Sequence, residues 1–176
     1  MGMKRLFLCT LLLLSYVTVQ AQSGEEALAE TSNYVNVSSQ LSTSGQITYD
    51  QIPELKEAGY DLVVNLAPAS DAMNALEGYL VVDEGMSYVQ IPVSWQEPSM
   101  RDLKMFFDVM ESNSDRKIYV HCFANMRASV FVYLYRTMVQ DIPESEAMAH
   151  VQEVWNPADR PQWAALIESA QKEFSK

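Results

Sequence analysis

Glycine, cysteine, histidine and positive charge are all scarce in this chain of 176 residues, which has six Gly, two Cys, two His and twelve Lys or Arg against twenty-three Asp or Glu. Each shortage narrows what the protein can do. A formal charge of −11 without any Lys/Arg cluster argues against nucleic acid and anionic lipid as partners, since both are held by grouped positive charge. Two histidines, His121 and His150, and so few thiols do not supply the closely spaced Cys/His ligands of a dedicated zinc site, so no metal is expected. No cofactor motif is present. After residue 21 no apolar run approaches the ~20 residues that span a bilayer, so no stable membrane insertion is expected of the rest of the chain. Repeats, low-complexity tracts and interdomain linkers are also missing.

What is present begins at the amino terminus. Met1-Gly2-Met3-Lys4-Arg5 leads into the mostly apolar run Leu6 to Val19, which ends before Gln20-Ala21-Gln22. This pattern reads as a secretory signal peptide over residues 1–21, cleaved after Ala21, and implies an exported protein, periplasmic or secreted. Cys9 lies inside the apolar run and would leave with it, so Cys122 is expected to be the single thiol of the mature chain and no internal disulfide can form. Cleavage would also remove Lys4 and Arg5, leaving 155 residues with a formal charge of −13. That length suits one domain with its own core. The polar stretch 22–33 reads as a flexible leader and residues 34–176 as the domain.

Within the domain, hydrophobic periodicity and turn residues suggest alternating strands and helices. Tyr34-Val35-Asn36-Val37 reads as a first strand and Ser42-Thr43-Ser44-Gly45-Gln46 as turn chemistry. Thr48 or Asp50 is placed to cap a helix running to about Ala58, stopped by Gly59. Asp61 to Leu66 reads as a buried strand, 72–84 as a helix ended by Gly85, and Ser87 to Ile91 as another strand. Ser99 with Asp102 resembles a capping arrangement for a helix carrying Leu103, Phe106, Phe107 and Met110 on one stripe. Lys117 to Val120 is a short strand, and 127–139, apolar on nearly every face, reads as a helix at the domain centre. Helices near 144–155 and 161–174 complete an α/β fold with a mainly parallel central sheet covered by helices.

The segment Val120-His121-Cys122-Phe123-Ala124-Asn125-Met126-Arg127-Ala128-Ser129 carries the chemistry. Cys122 is expected just past a strand end, in a loop feeding a helix N-terminus, where backbone N–H groups converge and favour an anion. The same field favours a thiolate, a competent nucleophile. Arg127 adds a planar, permanent cation suited to phosphate or sulfate oxygens. Here the sequence resembles the protein-tyrosine and dual-specificity phosphatase family, whose signature is His-Cys, five residues, Arg, then Ser or Thr. The resemblance extends more softly over about Leu41 to Arg136 and implies a cysteine-phosphatase-like fold. It implies that Cys122 is the nucleophile, that His121 helps hold the thiolate and that Ser129 supplies the hydroxyl assisting the departing thiolate. Phe123, Ala124, Asn125 and Met126 with Arg127 would form the phosphate-binding loop. Asn125 tolerates a left-handed backbone and is placed to turn the loop inward.

This chain departs from the family pattern in two ways. Only four residues separate Cys122 from Arg127, and Ala128 stands where the family has its arginine. The family's acid is an aspartate on an earlier loop, but Pro92 to Pro98 contains no aspartate, and Glu97, its only carboxylate, is either the acid or a solvated loop residue. Trp95 in that loop lines the site or packs on the neighbouring helix. The tighter spacing also resembles single-domain rhodanese-type sulfurtransferases, which carry Cys-x-x-Gly-x-Arg-Ser. Three readings follow: a phosphomonoester hydrolase working through a cysteinyl-phosphate intermediate on a phosphorylated protein or small molecule, a catalytically impaired loop that binds an oxyanion, and a sulfur-transfer enzyme.

Overall fold

The computed structural model describes residues 24–174, so the expected signal peptide lies outside the described residues. Strands β1 (Val35–Ser38), β2 (Leu41–Ser44), β3 (Leu62–Asn65), β4 (Ser87–Gln90) and β5 (Ile118–His121) form one sheet in the order β1-β2-β5-β3-β4. All pairings are parallel except β1 with β2, an antiparallel edge hairpin. The helices are α1 (24–29), α2 (Ile52–Glu57), α3 (Glu77–Asp83), α4 (Met100–Ser112), α5 (Met126–Met138), α6 (Glu144–Gln152) and α7 (Pro161–Phe174). This is the α/β architecture expected from the alternation of elements.

Strands β3 and β5 are buried along their whole length, as parallel strands covered on both faces must be. Alternate residues feed two cores. Val64, Val120 and Cys122 pack with α4, α5, α6 and α7, whereas Val63 and Tyr119 pack with Leu28, Ile52, Leu55 and Val81 on the side of α1, α2 and α3. Ser99 caps α4, its hydroxyl accepting the Asp102 N–H at 3.2 Å. The expected stripe of Leu103, Phe106, Phe107 and Met110 is buried, each side chain contributing roughly 1.5–3 kcal/mol. Helix α5 is buried from Arg127 to Arg136. Inside it Arg136 is satisfied by His150 Nδ1 and Glu146 Oε1, both at 2.8 Å, which makes His150 a packing residue.

Three expectations need correction. The stretch 22–33 is not a loose leader where it is described: residues 24–29 are helical and Leu28 is fully buried, because its side chain fills the space between Ile47, Ile52 and Leu55. Residues 42–44 are not a turn but part of β2. Every residue of β2 is buried, and distant partners satisfy its hydroxyls: Tyr60 OH donates to Ser42 Oγ at 2.7 Å and Tyr119 OH to Ser44 Oγ at 2.8 Å. The two helices expected at 48–58 and 72–84 are shorter, preceded by a 3-10 turn at Tyr49–Gln51 and by turns over 71–76. Both stop at glycines of positive φ, Gly59 and Gly85.

Candidate functional site

The pairings align Ser44 with His121, His121 with Asn65 and Asn65 with Gln90, so a row of polar residues closes the C-terminal edge of the sheet. Cys122 follows at once, buried, with its N–H on Ser44 O at 3.3 Å. The next carbonyls are held by groups outside the loop. Gln46 N–H donates to Phe123 O at 3.2 Å and Asn33 Nδ2 to Ala124 O at 3.1 Å. A trans peptide sets its N–H opposite its carbonyl, so the Ala124 N–H is directed away from Gln46. Among the described residues neither Phe123 N–H nor Ala124 N–H has a protein acceptor.

Asn125 then turns the chain with φ 62° and ψ −6°, the left-handed conformation expected of it, as the N-cap residue of α5. Its Nδ2 donates to Asn33 O at 2.6 Å and Thr43 Oγ1 at 2.9 Å. The first helical bond of α5 runs from Ser129 N–H to Asn125 O at 2.8 Å, which leaves the N–H groups of Met126, Arg127 and Ala128 ahead of the ladder. Gly45 makes the close approach possible: a Cβ there would lie 2.8 Å from Ser32 O and 3.3 Å from Phe123 O.

Behind the loop stands a carboxylate that sequence reasoning did not find. Glu77, fully buried, accepts four hydrogen bonds: from His121 Nε2 at 2.9 Å, Asn65 Nδ2 at 2.8 Å, Tyr88 OH at 2.9 Å and Gln46 Nε2. Burial pushes its carboxyl pKa up, but the His121 hydrogen bond and charge, with Gln46 and Tyr88, outweigh burial and hold it below the usual carboxylate range. Tyr88 moves the other way, its hydroxyl pKa raised by burial and then by the Glu77 charge. The buried side-chain polar atoms without a protein partner among the described residues are Gln46 Oε1, His121 Nδ1 and Asn125 Oδ1. All three belong to the wall of this loop, and such atoms concentrate at functional sites.

On the opposite side lies Arg127. Its Nε donates to Val93 O at 3.0 Å, and its guanidinium carbon stands 5.4 Å from the Trp95 ring centre and 5.8 Å from that of Phe123. Its terminal amino groups make no protein hydrogen bond among the described residues. Trp95 is itself pinned, its carbonyl accepting Trp163 Nε1 at 3.1 Å and Gln162 Nε2 at 3.3 Å. It therefore both flanks Arg127 and packs on α7.

Two expected site residues, Ser129 and Glu97, make no hydrogen bond to Cys122 among the described residues. The Ser129 hydroxyl donates to Met126 O at 3.2 Å and accepts from Trp155 Nε1 at 3.2 Å. Glu97 is exposed, its backbone N–H bonded to Ser94 Oγ at 3.1 Å and its carboxylate without a hydrogen bond among the described residues. Nor do the described residues contain a cluster of His, Cys, Asp and Glu able to hold a metal ion.

Comparison with known proteins places this arrangement. The model of the family "DSP-PTPase phosphatase fused to NAD+ Kinase" matches residues 10–168. A structure solved as a candidate phosphatase (DUF442) from Shewanella putrefaciens CN-32 is 37% identical, with a TM-score of 0.76 over 86% of this chain and 99% of that one. Two more distant structures share the fold. Tk-PTP in its active form is 15% identical, with a TM-score of 0.65 over 80% of this chain and 97% of its own. TpbA of P. aeruginosa is 15% identical, with a TM-score of 0.61 over 82% and 91%, and has also been solved in complex with pTyr. A search of curated proteins found no match. Matched by the family model over most of its length and similar to the Shewanella structure along nearly all of that chain, the protein belongs to the DSP-PTPase phosphatase family, within the cysteine phosphatases of the protein-tyrosine and dual-specificity type.

Proposed function

We propose that the protein is an exported, cysteine-dependent phosphomonoester hydrolase. The observation that carries this reading is the loop itself: Cys122 at a strand end, the Phe123 and Ala124 carbonyls tied outside it, and a left-handed Asn125 opening α5. The Cys122 thiolate attacks phosphorus, the bond from phosphorus to the leaving oxygen breaks, and that oxygen takes a proton from solvent. Water then attacks the cysteinyl phosphate, releasing inorganic phosphate and regenerating the thiolate. Loop N–H groups and the terminal amino groups of Arg127 stabilise the charge on the transferred phosphoryl group. The pTyr complex of TpbA supports a phosphorylated ligand of this kind.

A second reading, oxyanion binding without turnover, is favoured by the Ser129 hydroxyl, engaged by Met126 O and Trp155 Nε1, and by the exposed Glu97. Sulfur transfer rests on the four-residue spacing alone. Purified protein assayed on para-nitrophenyl phosphate and on thiosulfate with cyanide, with Cys122→Ser as control, separates the three. Phosphate release abolished by Cys122→Ser supports hydrolysis. Protection of Cys122 from iodoacetamide by phosphate or vanadate without turnover selects the binding reading, and a Cys122 persulfide without oxyanion protection selects sulfur transfer. Export rests on Lys4-Arg5 and the apolar run ending at Ala21. Amino-terminal sequencing of the native protein should give Gln22, and an intact Met1 or Met3 would overturn export.

A further inference from the structure

Five of the six exposed large apolar side chains among the described residues fall on one strip: Tyr49, Met73, Leu76, Tyr79 and Val82. Tyr49 and Leu76 join the strip in space, and Met73 precedes Leu76 by three residues. Tyr49 OH accepts the Leu76 N–H at 3.2 Å, and Leu76, Tyr79 and Val82 recur every three residues along the outer side of α3, a span of about 9 Å. Their exposures of 55%, 69% and 59% exceed what isolated surface apolars require, and a grouped patch marks an interaction site.

Its position ties it to the Cys122 loop. Tyr49 follows the C-terminal end of β2 and Met73 follows that of β3, so this end of the strip shares the sheet edge with the loop. Leu76 directly precedes Glu77, whose carboxylate holds His121 and Gln46, and Gln46 in turn holds Phe123 O. Its charge selects the occupant. Residues 57–100 contain seven Asp or Glu and no Lys, Arg or His, and Asp50, Asp71, Asp83 and Glu84 are exposed around the strip. Such a surface repels a second copy of this chain and an anionic bilayer, and complements a segment combining apolar with basic side chains.

We propose that Tyr49, Met73 and the outer side of α3 dock a polypeptide segment of apolar and Lys/Arg residues, the flank of a phosphorylated chain whose phosphate enters the Cys122 loop. The proposal rests on the phosphatase reading and specifies its substrate: a phosphorylated polypeptide with cationic, apolar flanks.

The test uses two phosphotyrosyl peptides of equal length, one flanked by Leu and Lys, the other by Ser and Glu, with para-nitrophenyl phosphate as the substrate that cannot reach the strip. The Leu/Lys peptide should have a KM about tenfold lower than the Ser/Glu peptide, the ratio that one buried Leu-sized contact yields. The double variant Leu76→Ser, Tyr79→Ser should erase that preference and leave para-nitrophenyl phosphate kinetics unchanged. Equal KM values in the native protein, or a preference that survives the double variant, would overturn the proposal. So would a dimer in sedimentation, or binding to phosphatidylglycerol vesicles, that the same variant abolishes. If no substrate is turned over, the phosphatase reading fails by itself. Calorimetric binding of the unphosphorylated Leu/Lys peptide then judges the strip: loss of binding in the double variant keeps it as a docking surface, and no binding to the native protein removes it.

Discussion

The two walls of the Cys122 loop are built on different physics. The wall toward β2 and α3 is polar and closed: Glu77 with four donors, Gln46 and Asn33 on the loop carbonyls, Asn125 on Thr43. The wall toward residues 92–99 is aromatic and sparse, with Arg127 between Trp95 and Phe123, Ser129 turned to Trp155 and Glu97 in solvent. The first wall fixes the backbone of the loop. The second is where proton transfer to a leaving group would have to be organised, and there the described residues supply a cation and no acid. The loop backbone and the Arg127 guanidinium are thus held by separate sets of partners, and each can be perturbed without the other.

The comparison breaks most severely at Glu77. Replacement by Ala leaves His121, Asn65, Tyr88 and Gln46 without their common acceptor inside the protein, and loss of one member of such a buried pair costs about 3–5 kcal/mol. Urea denaturation should register that loss. Glu77→Gln keeps an acceptor oxygen and should lose less. The pH dependence has a definite sign. Folding lowers the Glu77 carboxyl pKa, so its contribution is fully present above the unfolded carboxylate value of about 4.3 and is lost as pH falls through the lower folded value. Unfolding free energy should therefore fall more steeply below that pH in the native protein than in Glu77→Gln; equal slopes would mean that Glu77 gains nothing from its donors.

Arg127→Ala acts on the other wall. It removes the charged donors for an oxyanion, and hydrogen bonds to a charged group are worth about 1.5–3 kcal/mol, so phosphate affinity should drop roughly 10- to 100-fold. Phosphate protection of Cys122 from alkylation reports it directly. Protection unchanged in this variant would mean that the backbone alone binds the anion. Gly45→Ala tests the seam between β2 and the loop. Its methyl group would meet Ser32 O at 2.8 Å, with backbone on both sides, and overpacking of this kind costs about 1–3 kcal/mol. Lower stability together with weaker phosphate protection is expected.

These two walls were unequally legible in the sequence. Helix α4, its Ser99 cap and the all-round apolar character of α5 are local patterns, and they emerged at the expected positions. So did the left-handed Asn125, because the loop's need for an inward turn and the residue's tolerance of it are both local. Strand β2 did not, since Leu41-Ser42-Thr43-Ser44 becomes a buried strand only when Tyr60 and Tyr119, 18 and 75 residues away in their respective pairings, satisfy its hydroxyls. Glu77 stayed invisible for the same reason: its partner His121 is 44 residues distant, and no local spacing marks it. Ser129 is held by Met126 O and Trp155 Nε1, 3 and 26 residues away, partners that matching a motif by residue type does not reveal.

The smallest effect belongs to Glu97, and it sharpens the comparison most cheaply. Its carboxylate is exposed and unpaired among the described residues, so Glu97→Gln should change stability by less than about 0.5 kcal/mol. It should also leave phosphate protection of Cys122 intact. Its effect on turnover decides whether the 92–99 loop takes part in chemistry. A general acid contributes about 10²- to 10⁴-fold, and its loss weighs most on substrates with poor leaving groups. Glu97→Gln should therefore leave hydrolysis of para-nitrophenyl phosphate and of an alkyl phosphate within about twofold of the native rates, far short of a general acid's contribution. A selective collapse on the alkyl ester would require the loop to move from the position in which Trp163 and Gln162 hold the Trp95 carbonyl, and would assign Glu97 the proton-donor role that its resting geometry does not support.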